Sequence, residues 1–407
     1  MGIGDRFAQQ GKAQLDAIKK ASELGLEITP VWNKSFREHQ IVKSEPTSTR
    51  KEADDAVKAL GWNGQYFVDA DHVGLKNVDF FIDSSDFFTL DVADFIGEKA
   101  DGAKIDKFIE SYKKYIGEMS IPGISDTFKI TEQRLEQIAN KFLFAIDEAA
   151  KIYKHISRKK DSGSFVVEVS MDETDEPQTP VEMLFILAMI SDAGIPAQTI
   201  APKFTGRFNK GVDYVGAIDQ FKKEFEQDIA VIQFAIREFS MQDNLKLSVH
   251  SGSDKFSIYK PMGEIIRKMD AGLHLKTAGT TWLEELIGLA EGNQDGQALV
   301  KEVYRNAYNR YDELCGPYAA VIDIDPRKLP SPDEVDSWSG ESYAAALRHD
   351  QDNPGFNPHF RQLLHVGYKV AAEMGDRYLN AVRANSEIVS KNVTENIFER
   401  HIKRLFL

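Results

Sequence analysis

Between Leu245 and Trp282 the chain sets two dense groups of reactive side chains behind two short apolar runs. The first run, Leu245–His250, leads into Ser251, Gly252, Ser253, Asp254 and Lys255. The second, Leu273–Thr277, carries His274 and Lys276 and continues into Ala278, Gly279 and Thr280. Both runs are long enough for buried strands and too short for helices. Pro261–Asp270 between them puts Ile265, Ile266 and Met269 on one helical face. The order is strand, loaded loop, helix, strand, loaded loop. In α/β proteins chemistry collects in the loops beyond the carboxyl ends of the strands, which makes this stretch the predicted centre of a site.

Other strand-like runs end in titratable groups. Gln65–Val73 closes with Asp69, Asp71 and His72. Burying unpaired charge is costly, so a metal or a substrate is expected there, with a solvated strand end as the alternative. In Phe165–Met171, alternation puts Val166, Glu168, Ser170 and Asp172 on one face. If that face lines a barrel, Glu168 is a metal ligand or a general base; otherwise it pairs with a lysine. After the short strand Gln198–Ala201, the loop PKFTGRFNKG holds Lys203, Arg207 and Lys210 in an otherwise acidic chain. A substrate carboxylate or phosphate suits such a loop; an ordinary surface loop is the competing reading. His39 is read as a solvated surface residue and His155 as structural.

Several chemistries are not encoded. No G-x-G-x-x-G follows a strand, and there is neither a P-loop nor a G-x-S-x-G elbow. Cys315 is the single cysteine, which rules out an intrachain disulfide and a thiolate metal cluster. The remaining inventory of His, Asp, Glu and Lys suits a hard or borderline divalent cation with acid–base groups around it.

The elements that must position these residues are mostly helices with one apolar face. Thr131–Ile156 spaces Leu135, Ile138, Phe142, Ala145, Ala149, Ile152 and Ile156 three and four apart, a stripe for covering a sheet. Asp213–Phe239 does the same with Phe221, Phe225, Ile229 and Ile232. Eight strand-like segments are counted: 65–73, 79–83, 165–171, 198–201, 245–250, 273–277, 318–325 and 361–368. Eight strands and a helical coat predict a TIM-type (β/α)8 barrel over residues 61–407, with an N-terminal helical addition over residues 1–60 and a long excursion over 326–358. A chain of 407 residues with a formal net charge of −14 is expected to be a soluble cytoplasmic enzyme, not a nucleic-acid binder. It has no signal-peptide core and no apolar run of membrane-spanning length.

The strings DADH (69–72), VEVSMDET (167–174), APKFTG (201–206), KGVDYVG (210–216), SVHSGSDKF (248–256), HLKTAGT (274–280) and RQLLHVGY (361–368) together resemble the tagaturonate epimerase family. The resemblance covers most of residues 60–407 and rests chiefly on HSGSDKF and KTAGT. It implies a metal-dependent C4-epimerase that interconverts tagaturonate and fructuronate. Lys203 and Thr205 stand where the family pattern implies Arg and an apolar residue, and Ala217 stands where it implies an acid. A ketohexose 4-epimerase acting on tagatose and fructose, or a non-catalytic sugar-binding barrel, therefore remains an alternative. Under the resemblance His72, His250, His365 and Glu168 are the expected ligands of zinc, nickel, cobalt, iron or manganese. Asp71, Glu168 and Asp254 are the expected catalytic groups. Ser251, Ser253, Lys255, Lys276 and Arg207 are expected to bind a keto sugar acid, and His274 to be a ligand or to support one. Retro-aldol cleavage of C3–C4 is favoured over an enediol route because it uses a single enolate.

Overall fold

A computed structural model describes residues 1–161, 163–276 and 280–407. Its strands in chain order are β1 (Gly2–Ile3), β2 (Val31–Ser35), β3 (Phe67–Val73), β4 (Phe87–Asp91), β5 (Gly117–Ser120), β6 (Thr127–Ile130), β7 (Val166–Ser170), β8 (Thr199–Ala201), β9 (Lys246–Val249) and β10 (Leu273–Leu275). Eight of them pair in parallel in the order β1-β2-β3-β4-β7-β8-β9-β10, and β5 with β6 makes a separate antiparallel hairpin. The sheet is nearly closed into a TIM-type barrel. Met1, at the start of β1, is buried and close enough to Lys246 on β9 to feel its charge.

Alternation along each strand divides the side chains. Val68, Ala70, Phe88, Leu90, Val167, Val169, Leu247 and Val249 belong to the core beneath the helical coat. Their alternates Asp69, Thr89, Glu168, Thr199 and Ser248 are buried and polar, and fill the barrel interior. The helix Glu132–Ser157 buries Leu135, Ile138, Phe142, Ala145, Ala149, Ile152 and Ile156, the stripe expected from spacing. Among the described residues no helix is long and apolar enough to cross a membrane.

The first sixty residues are not a helical addition outside the barrel. They supply β1 and β2, with the helices Gly11–Glu23 and Pro46–Leu60 packed on each other and the second of them on β2. Polar Asn33 and Lys34 in mid-strand, together with a β1 of two residues, disguise these strands in a search for apolar runs. Three other expected strands are not strands. Residues 79–83 fall in and after a 3-10 turn, Val78–Phe80, and the next strand is β4. Gly316 and Pro317 start a 3-10 helix, Gly316–Val321, whose Ala319 and Ala320 are exposed and so have no sheet to join. Residues 358–366 form a helix with Pro358 in its first turn, and Asn357 accepts from the backbone N–H groups of His359 and Phe360. His39 is buried, with Nδ1 2.8 Å from Ser44 Oγ, and is no surface residue.

Candidate active site

The interior polar residues converge on two buried groups, Glu168 on β7 and Lys276 just past β10. A carboxylate only accepts, so the His250 Nε2–H donates to Glu168 Oε1 at 2.7 Å and the His274 Nδ1–H to Oε2 at 2.8 Å. The Thr199 hydroxyl adds a bond to Oε2 at 2.7 Å. Lys276 Nζ lies 2.7 Å from Asp71 Oδ1, 2.9 Å from Asp69 Oδ2 and 3.5 Å from Glu168 Oε1. Burial opposes charge on all of these groups. Lys276, His274 and His250 nevertheless hold Glu168 well below the usual carboxylate range, and the three carboxylates hold Lys276 above the usual ammonium value. Burial wins at two places: Asp69 is pushed up to about 6 and His274 down to about 4, so His274 is neutral.

At the mouth, β3 carries a bulge. Its pairing with β4 slips between Ala70 and Val73, and His72 stands at a φ of 55°. In an unbroken strand Asp71 and His72 would point to opposite faces; the bulge re-aims one of them, and both line the same cavity. The His72 Nδ1–H donates to Asp71 Oδ1 at 2.7 Å. Its Nε2 is left 3.6 Å from Asp172 Oδ1, while His250 Nδ1 stands 3.0 Å from the same oxygen. Both nitrogens are buried and face that one carboxylate oxygen. The ligand atoms of His72, Asp172 and His250 lie within 4.8 Å of one another.

Two imidazole lone pairs and a carboxylate oxygen cannot meet in the interior without positive charge between them. Protons meet that need in the metal-free protein. Burial disfavours charged imidazoles, yet Asp71 and Asp172 raise His72 well above its ordinary value, and Asp172 and Glu168 raise His250 to about 9. Asp172, half-buried beside the two rings, is held well below the usual range by His250 and His72. A divalent cation meets the same need with one ion. Each ring is already fixed by a carboxylate on its far nitrogen, the arrangement that orients histidine ligands. The residues present therefore fit a metal.

A cavity of about 100 Å³ opens here, lined by Asp71, His72, Asp172, His250 and Lys276 and by Asn33, Lys210, Ser251, Ser253, Lys255 and His365. Ser251, at a φ of 48°, lies in the loop after β9. Lys255 is fully engaged, donating to the carbonyls of Asn209 at 2.8 Å, Val212 at 2.7 Å and Ser253 at 2.9 Å, and burial pushes its ammonium down to about 8.

Four expected assignments change. Glu168 lies below the mouth with its oxygens on His250, His274 and Thr199, and supports the histidines without joining the converging set. His365 projects from the helix Pro358–Val366, not from a strand, and lines the cavity outside that set. Asp254 does not face the cavity; its Oδ1 is 3.1 Å from Arg361 Nη2 and 3.4 Å from His349 Nδ1. Arg207 is half exposed, 3.1 Å from Asp323, and also lies outside the cavity lining. Thr277, Ala278 and Gly279 of the KTAGT string lie outside the described residues.

Sequence reasoning missed Asp172, Asn33 and Arg361 as site-forming residues. Asp172 left a signal, since alternation puts it on the face of Glu168. Asn33 was hidden in an unrecognised strand.

The pattern of the tagaturonate epimerase (UxaE) family matches residues 1–405. A tagaturonate/fructuronate epimerase from Thermotoga maritima is 26% identical over an alignment covering 99% of this chain and 80% of that protein. The glycerol-complexed crystal structure of the fructuronate-tagaturonate epimerase UxaE from Cohnella laeviribosi is similar at a TM-score of 0.79 and 22% identity, over 99% of this chain and 80% of that one. The native crystal structure of the Cohnella protein gives 0.78 at 22% identity, with the same coverage. These structural likenesses concern the fold, whereas the family match spans nearly every residue. The chain belongs to the tagaturonate epimerase family and is an isomerase of the epimerase class.

Proposed function

We propose that the chain interconverts tagaturonate and fructuronate by inverting C4 of the 2-keto sugar acid, with a divalent cation held by His72, Asp172 and His250. The observation that carries this reading is the convergence of two buried imidazole nitrogens on one oxygen of Asp172, at 3.6 and 3.0 Å, with each ring held from behind by Asp71 or Glu168. A bound cation supplies Lewis acidity, acidifying a hydroxyl and stabilising negative charge on a neighbouring oxygen. Imidazole and carboxylate ligands suit zinc, nickel, cobalt, iron and manganese.

The C4 hydrogen is not alpha to the C2 carbonyl, so direct proton abstraction is unfavourable, and retro-aldol chemistry avoids it. Asp71 Oδ1 is engaged by His72 and Lys276, while no hydrogen bond to Oδ2 is found among the described residues that face this cavity. Despite burial, Lys276 and His72 keep Asp71 ionised. In the proposed route Asp71 accepts the O4 proton. The C3–C4 bond breaks, its electron pair moving into an enolate over C3, C2 and the C2 oxygen, and C4 becomes an aldehyde. Lys276 remains an ammonium and offsets the enolate charge. The aldehyde turns about C4–C5, C3 adds to its other face, and Asp71 returns the proton to O4.

The test is product analysis by NMR with tagaturonate, fructuronate, tagatose and fructose in parallel, before and after chelation and with each metal restored. Interconversion of the uronates only with metal is expected. Undiminished turnover by protein that elemental analysis shows to be metal-free would remove the metal from the reading. Turnover of the neutral sugars alone would replace it with a ketohexose 4-epimerase.

A further inference from the structure

A sugar acid brings a carboxylate into the cavity, whose lining sets three ammonium groups, Lys210, Lys255 and Lys276, beside the carboxylates of Asp71, Asp172 and Glu173. Two already have partners. Lys276 is enclosed by Asp69, Asp71 and Glu168, and Lys255 donates to three carbonyls. Lys210 differs. Its backbone N–H is tied to the Val321 carbonyl at 2.8 Å, which fixes the residue. Its ammonium stands 5.9 Å from the Tyr318 ring, and no side-chain acceptor engages it among the described residues.

His365 is the second element. It is buried, and its Nδ1 has no hydrogen-bond partner. Gly211, next to Lys210, has a φ of +73°, and a Cβ there would come within 3.1 Å of His365 Cδ2, so this turn rests on the imidazole. Burial together with Arg6, Lys210 and Arg361 keeps His365 neutral and makes its surroundings positive. Arg6 and Arg361 are themselves paired, with Glu38 at 3.2 Å and Asp254 at 3.1 Å. Asn33 adds a third signal: it is buried on the same cavity, and neither amide atom has a partner. Buried donors without acceptors are costly unless a ligand completes them.

We propose that Lys210 and His365 form the subsite for the carboxylate of the substrate, with Asn33 offering a donor and an acceptor to its hydroxyl groups. Lys210 supplies charge, and His365, in the tautomer protonated at Nδ1, supplies a directed hydrogen bond. The identity of the sugar rests on the epimerase reading; the case for an acid group rests on the Lys210 ammonium, which no side-chain acceptor engages among the described residues. Lys210 is then the residue that separates uronates from neutral ketohexoses.

The experiment measures calorimetric binding and NMR turnover of fructuronate and fructose with the metal-loaded wild type, Lys210→Met, Lys210→Arg and His365→Gln, with circular dichroism checking each fold. Lys210→Met should weaken fructuronate binding about ten- to a hundredfold, at least ten times more than it weakens fructose binding, and Lys210→Arg should restore most of the loss. His365→Gln should show the same bias with a smaller loss. Equal weakening of both sugars in Lys210→Met, or none, overturns the subsite even if wild-type epimerisation proceeds. Fructuronate that binds the wild type in a Lys210-dependent way but is never turned over leaves the subsite standing and removes the epimerase reading. Fructuronate that does not bind the wild type removes both.

Discussion

Arg361 Nη2 lies 3.1 Å from Asp254 Oδ1, and both side chains are almost wholly buried. The same guanidinium donates to the Gly211 carbonyl at 2.7 Å and the Leu347 carbonyl at 2.7 Å. One cation therefore joins the loop after β9, the loop after β8 and the late excursion, and the first two of these line the cavity. Asp254 contributes from its backbone as well, its N–H donating to His401 Nε2 at 3.2 Å.

Asp254 is thus a positioning residue. Asp254→Asn leaves Arg361 buried without its counter-ion, a loss of about 3–5 kcal/mol for a broken buried pair. The urea midpoint should fall accordingly, while the variant that remains folded keeps the wild-type dependence of rate on pH. An unchanged midpoint with a lost limb in the pH–rate profile would return Asp254 to acid–base duty.

Asp172→Asn should lose metal. The amide keeps the shape but not the charge on which the nitrogens of His72 and His250 converge. Loss of one of three protein ligands should lower affinity at least as much as loss of a supporting partner, which costs about 10–100-fold. Elemental analysis after equilibrium dialysis reads this directly. Full metal content in Asp172→Asn would place the cation elsewhere.

Metal and protons compete for the same nitrogens, which sets the pH dependence. His250 is raised to about 9 in the folded protein, and His72 is also raised. Metal affinity should therefore climb from pH 6 towards 9 with release of protons, seen as a buffer-dependent binding enthalpy. In the metal-free protein the sign reverses. A histidine raised on folding contributes stability in full below its unfolded value near 6.5, and that contribution is lost as pH rises through about 9. Urea midpoints of the metal-free protein should fall over this window, and saturating metal should flatten the fall. Affinity independent of pH would mean that these imidazoles are not the ligands.

The contrast between what was readable and what was not has physical causes. Alternation placed Glu168 on the inner face of β7 and, carried two residues past its end, Asp172 on the same side. On β3 the same rule would have separated Asp71 from His72, and only the bulge, a backbone feature, unites them. Apolar runs revealed the strands whose outer faces meet helices, such as β7 and β9. They did not reveal β2, where Asn33 and Lys34 serve the polar interior and the N-terminal cluster. The 361–368 segment has the apolar content of a strand, but its Asn357 cap and Pro358 start a helix, which changes where His365 points. Asp254 was legible as a charged residue in a loaded loop. Its partner Arg361 is 107 positions away, beyond any local pattern.

The route of the reaction can be read from hydrogen. Retro-aldol epimerisation keeps the C4 hydrogen on its carbon, because the aldehyde fragment carries it while turning. An enediol route must transfer that hydrogen to a base, from which it exchanges with solvent whenever the base is open to water. Asp71, the proposed base for O4, lines the cavity. Epimerisation in D2O should therefore leave C4 unlabelled in the product, as read by proton NMR at that position. Deuterium at C4, entering at a rate comparable to turnover, would sink the retro-aldol route. Label at C3 alone is compatible with it, since the enolate accepts a proton there when recombination fails. A carbon-13 isotope effect at both C3 and C4 completes the test, because only cleavage of the bond between them slows both positions together.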